Sequence, residues 1–230
     1  MAKRICFISK LNEEPLYEEM EVEFKYFNGF AVSQKQKSIA DLHKNIKMIN
    51  PSLKILEIST KSTDPIGIAL SAFNLKFFDE NLDKEFALEN IFQSSKVFEF
   101  GGPFRELLNV SPKDAKRDER LKISGNLKCF NYDNENWELE PKTMFYDWIY
   151  IKALIRNKEL SKKILDFDCF TDIEFNQEKS INCQARSAAI FVSLCKRNII
   201  NEVISCKKKF KEIYYMKPSE NVQISLFDNY

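Results

Sequence analysis

The stretch from Glu89 to Phe98 reads ENIFQSSKVF. It lies in the middle of the chain, within the segment Phe86–Phe98, for which the sequence pattern predicts a helix. Three polar residues are separated by four and then three positions, so on a helix they share one face: Glu89, Gln93 and Lys96. Apolar residues gather on another face: Leu88, Ile91, Phe92 and Phe98. We therefore expect a carboxylate, an amide and an amine on one side of a helix anchored in the core.

The spacing of Glu89 and Lys96 also has an ordinary interpretation. A Glu and a Lys on one helix face are usually a solvated pair that contributes little to stability. On spacing alone this interpretation is favoured, and a catalytic role needs further support.

Short strands and longer helices follow one another along the rest of the chain. Alternating or continuous apolar residues predict three strands: Arg4–Ile8, Glu21–Tyr26 and Leu53–Ile58. Helical periodicity, with Ser111-Pro112 as one start signal, predicts the helices Gln36–Ile49, Ser111–Arg120, Pro141–Asn157, a successor through Leu165, Gln184–Asn198 and Glu202–Tyr215. These patterns predict an α+β fold, a predominantly helical single domain over residues 1–215, and a mobile tail over 216–230.

Composition excludes several classes of function. The chain has 230 residues with 35 Lys and Arg against 34 Asp and Glu, so any nucleic-acid surface must be a local patch. Its apolar runs are shorter than the ~20 residues that span a bilayer, and no membrane partner is expected. The six cysteines lack zinc-ligand spacing and His43 is the one histidine, so we expect no metal, no cofactor and reduced thiols in a cytoplasm.

The stretch Glu89–Phe98 resembles the E-H-x-x-Q-x-x-K-F signature of the NADAR superfamily, also called YbiA-like. Upstream, Gly67–Asn74 (GIALSAFN) is similar to the glycine and L-S-N-F of that family. Downstream, Ala153-Leu154 and Leu160–Leu165 resemble its helical stretch, and Asp172-Ile173-Glu174 falls where it has an apolar residue and a glutamate. The similarity covers about residues 64–200.

Two departures point to one branch of the superfamily. Asn90 stands where the family has histidine, and the Trp-Gly pair after the late glutamate is missing. The stretches 56–62, 140–148 and 180–187 are similar to the branch associated with DarT-type toxins. This resemblance implies an antitoxin that strips ADP-ribose from guanine bases.

The resemblance implies an N-glycoside substrate in which ribose C1 is bonded to an exocyclic amine. Such an amine leaves poorly unless it is protonated, and a carboxylate near C1 can stabilise the sugar cation or activate water. Alternatively, a lysine intercepts the opened sugar as a Schiff base, which requires a pKa lowered by burial against the opposite effect of a neighbouring carboxylate. Lys96 is thus either a nucleophile or a cation for the diphosphate. The candidate catalytic residues are Glu89, Lys96, Asp147 and Glu174.

Candidate binding residues come mainly from the family positions. Gly67 permits close approach of the backbone to a phosphate or sugar, and Ser71, Asn74 and Gln93 offer polar groups. Phe73 or Trp148 could stack on a base, although core packing is the ordinary role of an aromatic in a chain with 20 Phe. Arg186 would pair with phosphate, or equally with a structural carboxylate.

The expected partners are DNA ADP-ribosylated on guanine and a cognate DarT-type toxin encoded nearby. The tail segment Gln223–Phe227 (QISLF) resembles the peptide by which DNA-repair proteins dock on the bacterial sliding clamp, and folding back onto the domain is the alternative. The run Lys207-Lys208-Lys209 with Lys211 is either a solvated face or a contact to the DNA backbone.

Three functions remain open from the sequence. The first is an ADP-ribosyl-guanine glycosidase acting on DNA. The second is the same chemistry on a small aminopyrimidine ribosylamine phosphate, an early riboflavin intermediate, which the two departures disfavour. The third is a non-catalytic module that binds ADP-ribose or the toxin. Turnover on the two substrates, and rescue by a catalytically inactive variant, would separate them.

Overall fold

The computed structural model describes residues 1–11, 15–176 and 182–214. In chain order the strands are β1 Ala2–Ser9, β2 Tyr17–Phe24, β3 Ile55–Glu57, β4 Lys76–Asp79, β5 Lys84–Ala87, β6 Lys96–Phe98, β7 Leu127–Tyr132, β8 Glu135–Trp137 and β9 Cys169–Thr171. The helices are α1 Val32–Ile49, α2 Pro65–Ala69, α3 Leu88–Ser94, α4 Pro112–Arg117, α5 Arg120–Ile123, α6 Met144–Arg156, α7 Lys158–Ile164, α8 Gln184–Lys196, α9 Ile200–Val203 and α10 Lys207–Glu212.

A four-stranded sheet with the order β2-β1-β9-β3 forms the middle layer. β1 is antiparallel to both β2 and β9, whereas β3 and β9 are parallel. Neighbouring side chains in a strand point to opposite faces, so Cys6 and Cys169 belong to one core while Phe7 and Phe170 belong to the other.

Each face of this sheet buries a different set of helices. On one face α1 packs Ile39, Leu42 and Ile46 against Val22 and Phe24 of β2. On the other face lie α6 and α8, whose side chains are mostly buried and join the larger core. The result is three layers, helix on sheet on helix, with the hydrophobic burial of both sheet faces holding them together.

Two smaller sheets surround α3 beside the main core. β4 and β5 form an antiparallel hairpin that leads directly into α3, and β6-β7-β8 form an antiparallel sheet that begins two residues after it. All seven residues of α3 are buried. The candidate site is therefore carried by a short, enclosed helix between two hairpins.

The balance of helix and strand corrects the expectation of a predominantly helical fold. The content is mixed, with 43% helix and 21% strand, and the extra strands come from the two small sheets. Those strands are short and their pairing partners lie up to about thirty residues away, as with β6 and β7, so local periodicity does not indicate them.

The predicted helix Phe86–Phe98 is wrong at both ends. Phe86 lies in β5, α3 ends at Ser94, and Lys96 lies in β6. The hydroxyls of Ser94 and Ser95 both donate to the Ile91 carbonyl, and Asn131 N then donates to the Ser95 carbonyl. Serine hydroxyls compete with the helical hydrogen bonds, and the sheet takes over from there.

The other predicted elements differ mostly at their boundaries. α1 and β1 cover the predicted helix and strand, and α8 ends at Lys196, two residues before the predicted end. Ser111 caps α4 as expected by accepting from Asp114 N, but α4 ends at Arg117 and not at Arg120. α6 begins at Met144 rather than at Pro141, since Thr143 has a left-handed backbone with φ of 72°. The predicted helix Glu202–Tyr215 is divided into α9 and α10 by extended backbone at Cys206.

Within the described part of the chain, no helix is long and apolar enough to cross a membrane. The predicted tail 216–230, including Gln223–Phe227, lies outside the described residues.

Candidate active site

The N-terminus of α3 is held by the turn that precedes the β4–β5 hairpin. Leu88 N donates to the Leu75 carbonyl at 2.9 Å, and Glu89 N donates to the Ala72 carbonyl at 3.0 Å. Glu89 thus sits in the first helical turn, where the helix dipole favours a negative charge. It is only 5% exposed, so its carboxylate is held away from bulk water.

Gln93 follows one turn later and contacts Glu89 directly. Its Nε2 donates to Glu89 Oε1 at 2.8 Å. Its other amide atom, Oε1, is buried and has no hydrogen-bond partner within the described residues. A buried acceptor without a donor costs about 1–3 kcal/mol, and a ligand hydroxyl or N–H would remove that cost.

Lys96 reaches the same place from β6. A Cβ on Gly102, which has φ of +86°, would lie 2.2 Å from the Lys96 carbonyl oxygen, so only glycine lets the following loop fold against this strand. The ammonium group lies 4.8 Å from the centre of the Phe92 ring. The Glu89 carboxylate acts on the charge of Lys96, so the two residues lie near each other, although they belong to different elements and not to one helix face.

Burial decides the charge state of Lys96. The pKa of Lys96 is lowered to about 8, mainly because burial removes its hydration. The Glu89 carboxylate raises this pKa, and the positive charge of Lys116 lowers it further. The two opposed effects expected from the sequence are both present, and burial is the larger. About a tenth of the amine is consequently neutral at pH 7, far more than at its usual pKa.

Aromatic residues form the walls of the cluster. Tyr146 packs edge-on against Phe92 with ring centres 5.2 Å apart. Burial raises the pKa of Tyr146 well above its usual value, and the carboxylate of Glu89 adds to this, so the hydroxyl stays protonated. Phe73 is half-buried at the rim, where Lys116 Nζ lies 5.3 Å from its ring centre. Tyr146 was missed from the sequence because nothing distinguishes it from the core aromatics of α6.

The two acidic residues that follow β9, Asp172 and Glu174, differ in their exposure to solvent. Glu174 is nearly half exposed and forms an ion pair with Lys35 at 3.4 Å. Asp172 is 8% exposed, and burial, with a contribution from the buried Glu57, raises its pKa to about 8. The charge of Asp172 would also raise the pKa of Tyr146, so Asp172 lies near the cluster. Sequence reasoning chose Glu174, and the turn at 172–175 decides which acid faces inward.

Asp147 and Arg186 form a separate, closed network. Asp147 is fully buried, and its carboxylate accepts from Ser187 Oγ at 2.5 Å, Tyr214 OH at 2.5 Å, Thr143 Oγ1 at 3.1 Å and the Arg186 guanidinium. These bonds tie α6 to α8 and to the residues after α10. Both residues were candidates for the site. Here the Asp147 carboxylate has several partners, while Arg186 Nε is buried and has no hydrogen-bond partner within the described residues.

The remaining candidates shape the surroundings. A Cβ on Gly67 would lie 1.9 Å from the Glu57 carbonyl oxygen, so this glycine serves a close approach between two backbone segments. Ser71 and Asn74 both donate to the Ile68 carbonyl and so hold the turn that carries Phe73. Trp148 lies against Trp137, with ring centres 4.7 Å apart.

Nearly the whole length of the chain matches a known protein family. A family model described as the DarT1-associated NADAR antitoxin matches residues 2–224. The chain belongs to this family. No curated protein matches the chain with significance.

As a DarT1-associated NADAR antitoxin, the protein has a cognate DarT toxin as its implied partner. Asn90, which replaces the histidine of the wider superfamily, donates to the Leu107 carbonyl at 2.7 Å and to the Val110 carbonyl at 2.9 Å. It thereby fixes the segment that leads from β6 to α4, and it points away from Glu89 on the helix.

Proposed function

We propose that this antitoxin is an N-glycosidase that removes ADP-ribose from guanine bases of DNA modified by the toxin. The observation that carries the proposal is the buried Glu89 beside the half-buried Lys96, whose pKa is lowered to about 8. About a tenth of such an amine is neutral at pH 7 and can act as a nucleophile, whereas a cation meant only for phosphate would gain from keeping its full charge.

The residues support a Schiff-base route. The C1–O bond of the ribose ring opens, the Glu89 carboxylate passes the guanine N–H proton to the ring oxygen, and C1 becomes an imine on the guanine nitrogen. Neutral Lys96 Nζ adds to C1. Glu89 then transfers the protons of Lys96 Nζ to the guanine nitrogen, which leaves as an amine while C1 becomes an imine of Lys96. Water then hydrolyses the lysine imine, which frees Lys96 and releases ADP-ribose as an aldehyde that closes again to the ring.

Further groups of the cluster fit the substrate. The unpaired Gln93 Oε1 would accept from a ribose hydroxyl or a guanine N–H, and the half-buried Phe73 ring offers a stacking face at the rim. Asp172, protonated at neutral pH because of its raised pKa, accepts from Glu174 N at 3.0 Å and so holds its own turn rather than carrying charge. We keep Asp147, Trp148, Glu174 and Arg186 outside the reacting group, because their contacts lie within the protein or at its surface.

The test uses an oligonucleotide ADP-ribosylated on guanine by the toxin, with released ADP-ribose measured by chromatography. Wild type is expected to release it, and Glu89→Gln is expected to reduce release by about 10²–10⁴-fold. Glu85→Gln, an exposed carboxylate four residues earlier, serves as the matched control and should behave as wild type.

Two outcomes would overturn the proposal. Modified DNA left intact by folded wild type would exclude the activity, and turnover of an aminopyrimidine ribosylamine phosphate instead would transfer the chemistry to a small substrate. An antitoxin in which Glu89→Gln still rescued cells fully would be a binder rather than an enzyme.

A further inference from the structure

A basic stripe on α4 lies next to the candidate site. Lys116 and Arg117 follow Lys113 by three and four positions, so the three residues share one face of the helix. All three are exposed, while Ala115 on the opposite face is fully buried against the protein. The stripe is therefore presented to solvent by a helix that is fixed at its back.

The stripe lies beside the Glu89–Lys96 cluster. Lys116 Nζ lies over the Phe73 ring, and its charge lowers the pKa of Lys96. The segment before α4 is fixed by the two hydrogen bonds of Asn90, and Ser111 caps the helix. The position of the three cations relative to the site is thus set by buried contacts.

None of the three stripe cations forms an ion pair within the described residues. The nearby carboxylates have other partners, since Asp114 accepts from Ser111 and Asp118 is paired with Arg120. Three unpaired cations on one face repel one another, and a polyanion would relieve that repulsion.

The basic run on α10 differs in this respect. Lys207 is paired with Glu135 at 3.7 Å, Lys209 with Glu202 at 3.3 Å and Lys211 with Glu138 at 2.5 Å. Most of the charge that the sequence offers there is already compensated by the protein. The two runs look alike in the sequence, and their ion pairing separates them.

We propose that the α4 stripe of Lys113, Lys116 and Arg117 binds the phosphate backbone of the DNA strand that carries the modified guanine. This rests on the proposed function, because a base-linked substrate brings a phosphodiester chain past the site. The modified base can reach the cluster only when it is flipped out of the base stack. The DNA strand on either side of the flipped base then passes along the protein surface beside the cluster. Phosphate contacts of this kind position the strand without reading its sequence.

The experiment measures the affinity for an unmodified, fluorescently labelled single-stranded oligonucleotide by anisotropy over a series of salt concentrations. Each phosphate contact contributes about 0.7 to the slope of log affinity against log salt for single strands. Lys113→Gln/Arg117→Gln is expected to reduce the magnitude of the slope by about 1.4. Lys208→Gln/Lys209→Gln removes the same charge from α10 and should leave the slope as in wild type.

Three outcomes would overturn the proposed role of the stripe: the wild-type protein fails to bind the strand, the slope is unchanged in the α4 variant, or the slope falls equally in the α4 and α10 variants. Binding needs no turnover, so this result is independent of ADP-ribose release. If the enzyme releases ADP-ribose but the α4 substitutions leave its DNA affinity unchanged, the proposed role of the α4 stripe is refuted and the proposed function is not.

Discussion

The molecule contains two groups of charged residues, each with a buried carboxylate, that the sequence presents as equivalent candidates. In the Glu89–Gln93–Lys96 cluster, one acceptor lacks a donor and the amine has a lowered pKa. In the Asp147–Arg186 network, the carboxylate has four internal partners and is fully enclosed. Gln93 Oε1 and Arg186 Nε each lack a partner within the described residues, so the two groups differ in their carboxylates: Glu89 bonds Gln93, whereas Asp147 has four partners. A carboxylate with many internal partners holds elements together, and one with few can still bind a substrate. We therefore infer chemistry for the first group and a folding role for the second.

The largest effect should come from removing the amine of the open cluster. Lys96→Met is expected to lower ADP-ribose release by about 10³-fold or more, as when a nucleophile is lost. Lys84→Met is the matched control, since Lys84 also lies over a phenylalanine ring, that of Phe86, at 5.3 Å. Equal losses in both variants would mean that the lysine–aromatic contact, rather than the chemistry, is what matters.

The closed network should respond in stability instead. Asp147→Ala leaves the Arg186 guanidinium buried without its carboxylate, which typically costs about 3–5 kcal/mol. We expect a loss of that size in the free energy of unfolding by urea, with release per folded molecule falling far less than in Glu89→Gln. A stable but inactive Asp147→Ala would place Asp147 among the reacting groups and reverse the comparison.

Asp172 offers a test of which group it belongs to. Its pKa is raised from 3.8 to about 8 by burial, so the folded state binds a proton that the unfolded state gives up between these values. The free energy of unfolding should therefore fall as the pH rises from about 4 to about 8. Asp172→Asn cannot ionise, and it should gain at least about 1 kcal/mol over wild type at pH 8 relative to pH 5, as measured by thermal unfolding.

The absence of that gain would indicate that Asp172 is charged and paired in the folded protein. Asp172 would then be a paired, structural carboxylate like Asp147 and not a neighbour of the Glu89–Lys96 cluster that stays protonated.

The smallest effect concerns Lys116. Its positive charge lowers the pKa of Lys96, so Lys116→Met should raise that pKa and move the rising limb of the pH–rate profile to higher pH by a fraction of a unit. The same limb in Lys84→Met should not move. A shift to lower pH would contradict the assignment of the limb to a neutral Lys96.

The sequence predicted those parts of the fold whose signals are local. The amphipathic pattern of α1, the Ser111-Pro112 start of α4 and the alternation in β1 all lie within the elements that they indicate. β6 was missed because its strand character depends on pairing with β7, about thirty residues later. Contacts of that range are set by tertiary packing, which overrides the helical periodicity of Phe86–Phe98.

The candidate site was predictable to a similar extent. Glu89, Gln93 and Lys96 do come together, although through a helix followed by a strand and not through one helix face. The pairing of Asp147 with Arg186 spans 39 positions, so no spacing rule indicates it. Which residue of Asp172 and Glu174 faces inward depends on a turn that composition does not specify.

Trapping with borohydride tests the central claim most directly, since a hydride reduces a lysine imine to a stable secondary amine. Wild type incubated with ADP-ribosylated DNA and borohydride should carry a reduced ADP-ribosyl group on Lys96, located by peptide mass spectrometry. Lys96→Met should carry none, and Lys84→Met should be labelled as wild type. An active enzyme that gives no adduct, or gives one on another residue, would contradict the role assigned to the Glu89–Lys96 pair.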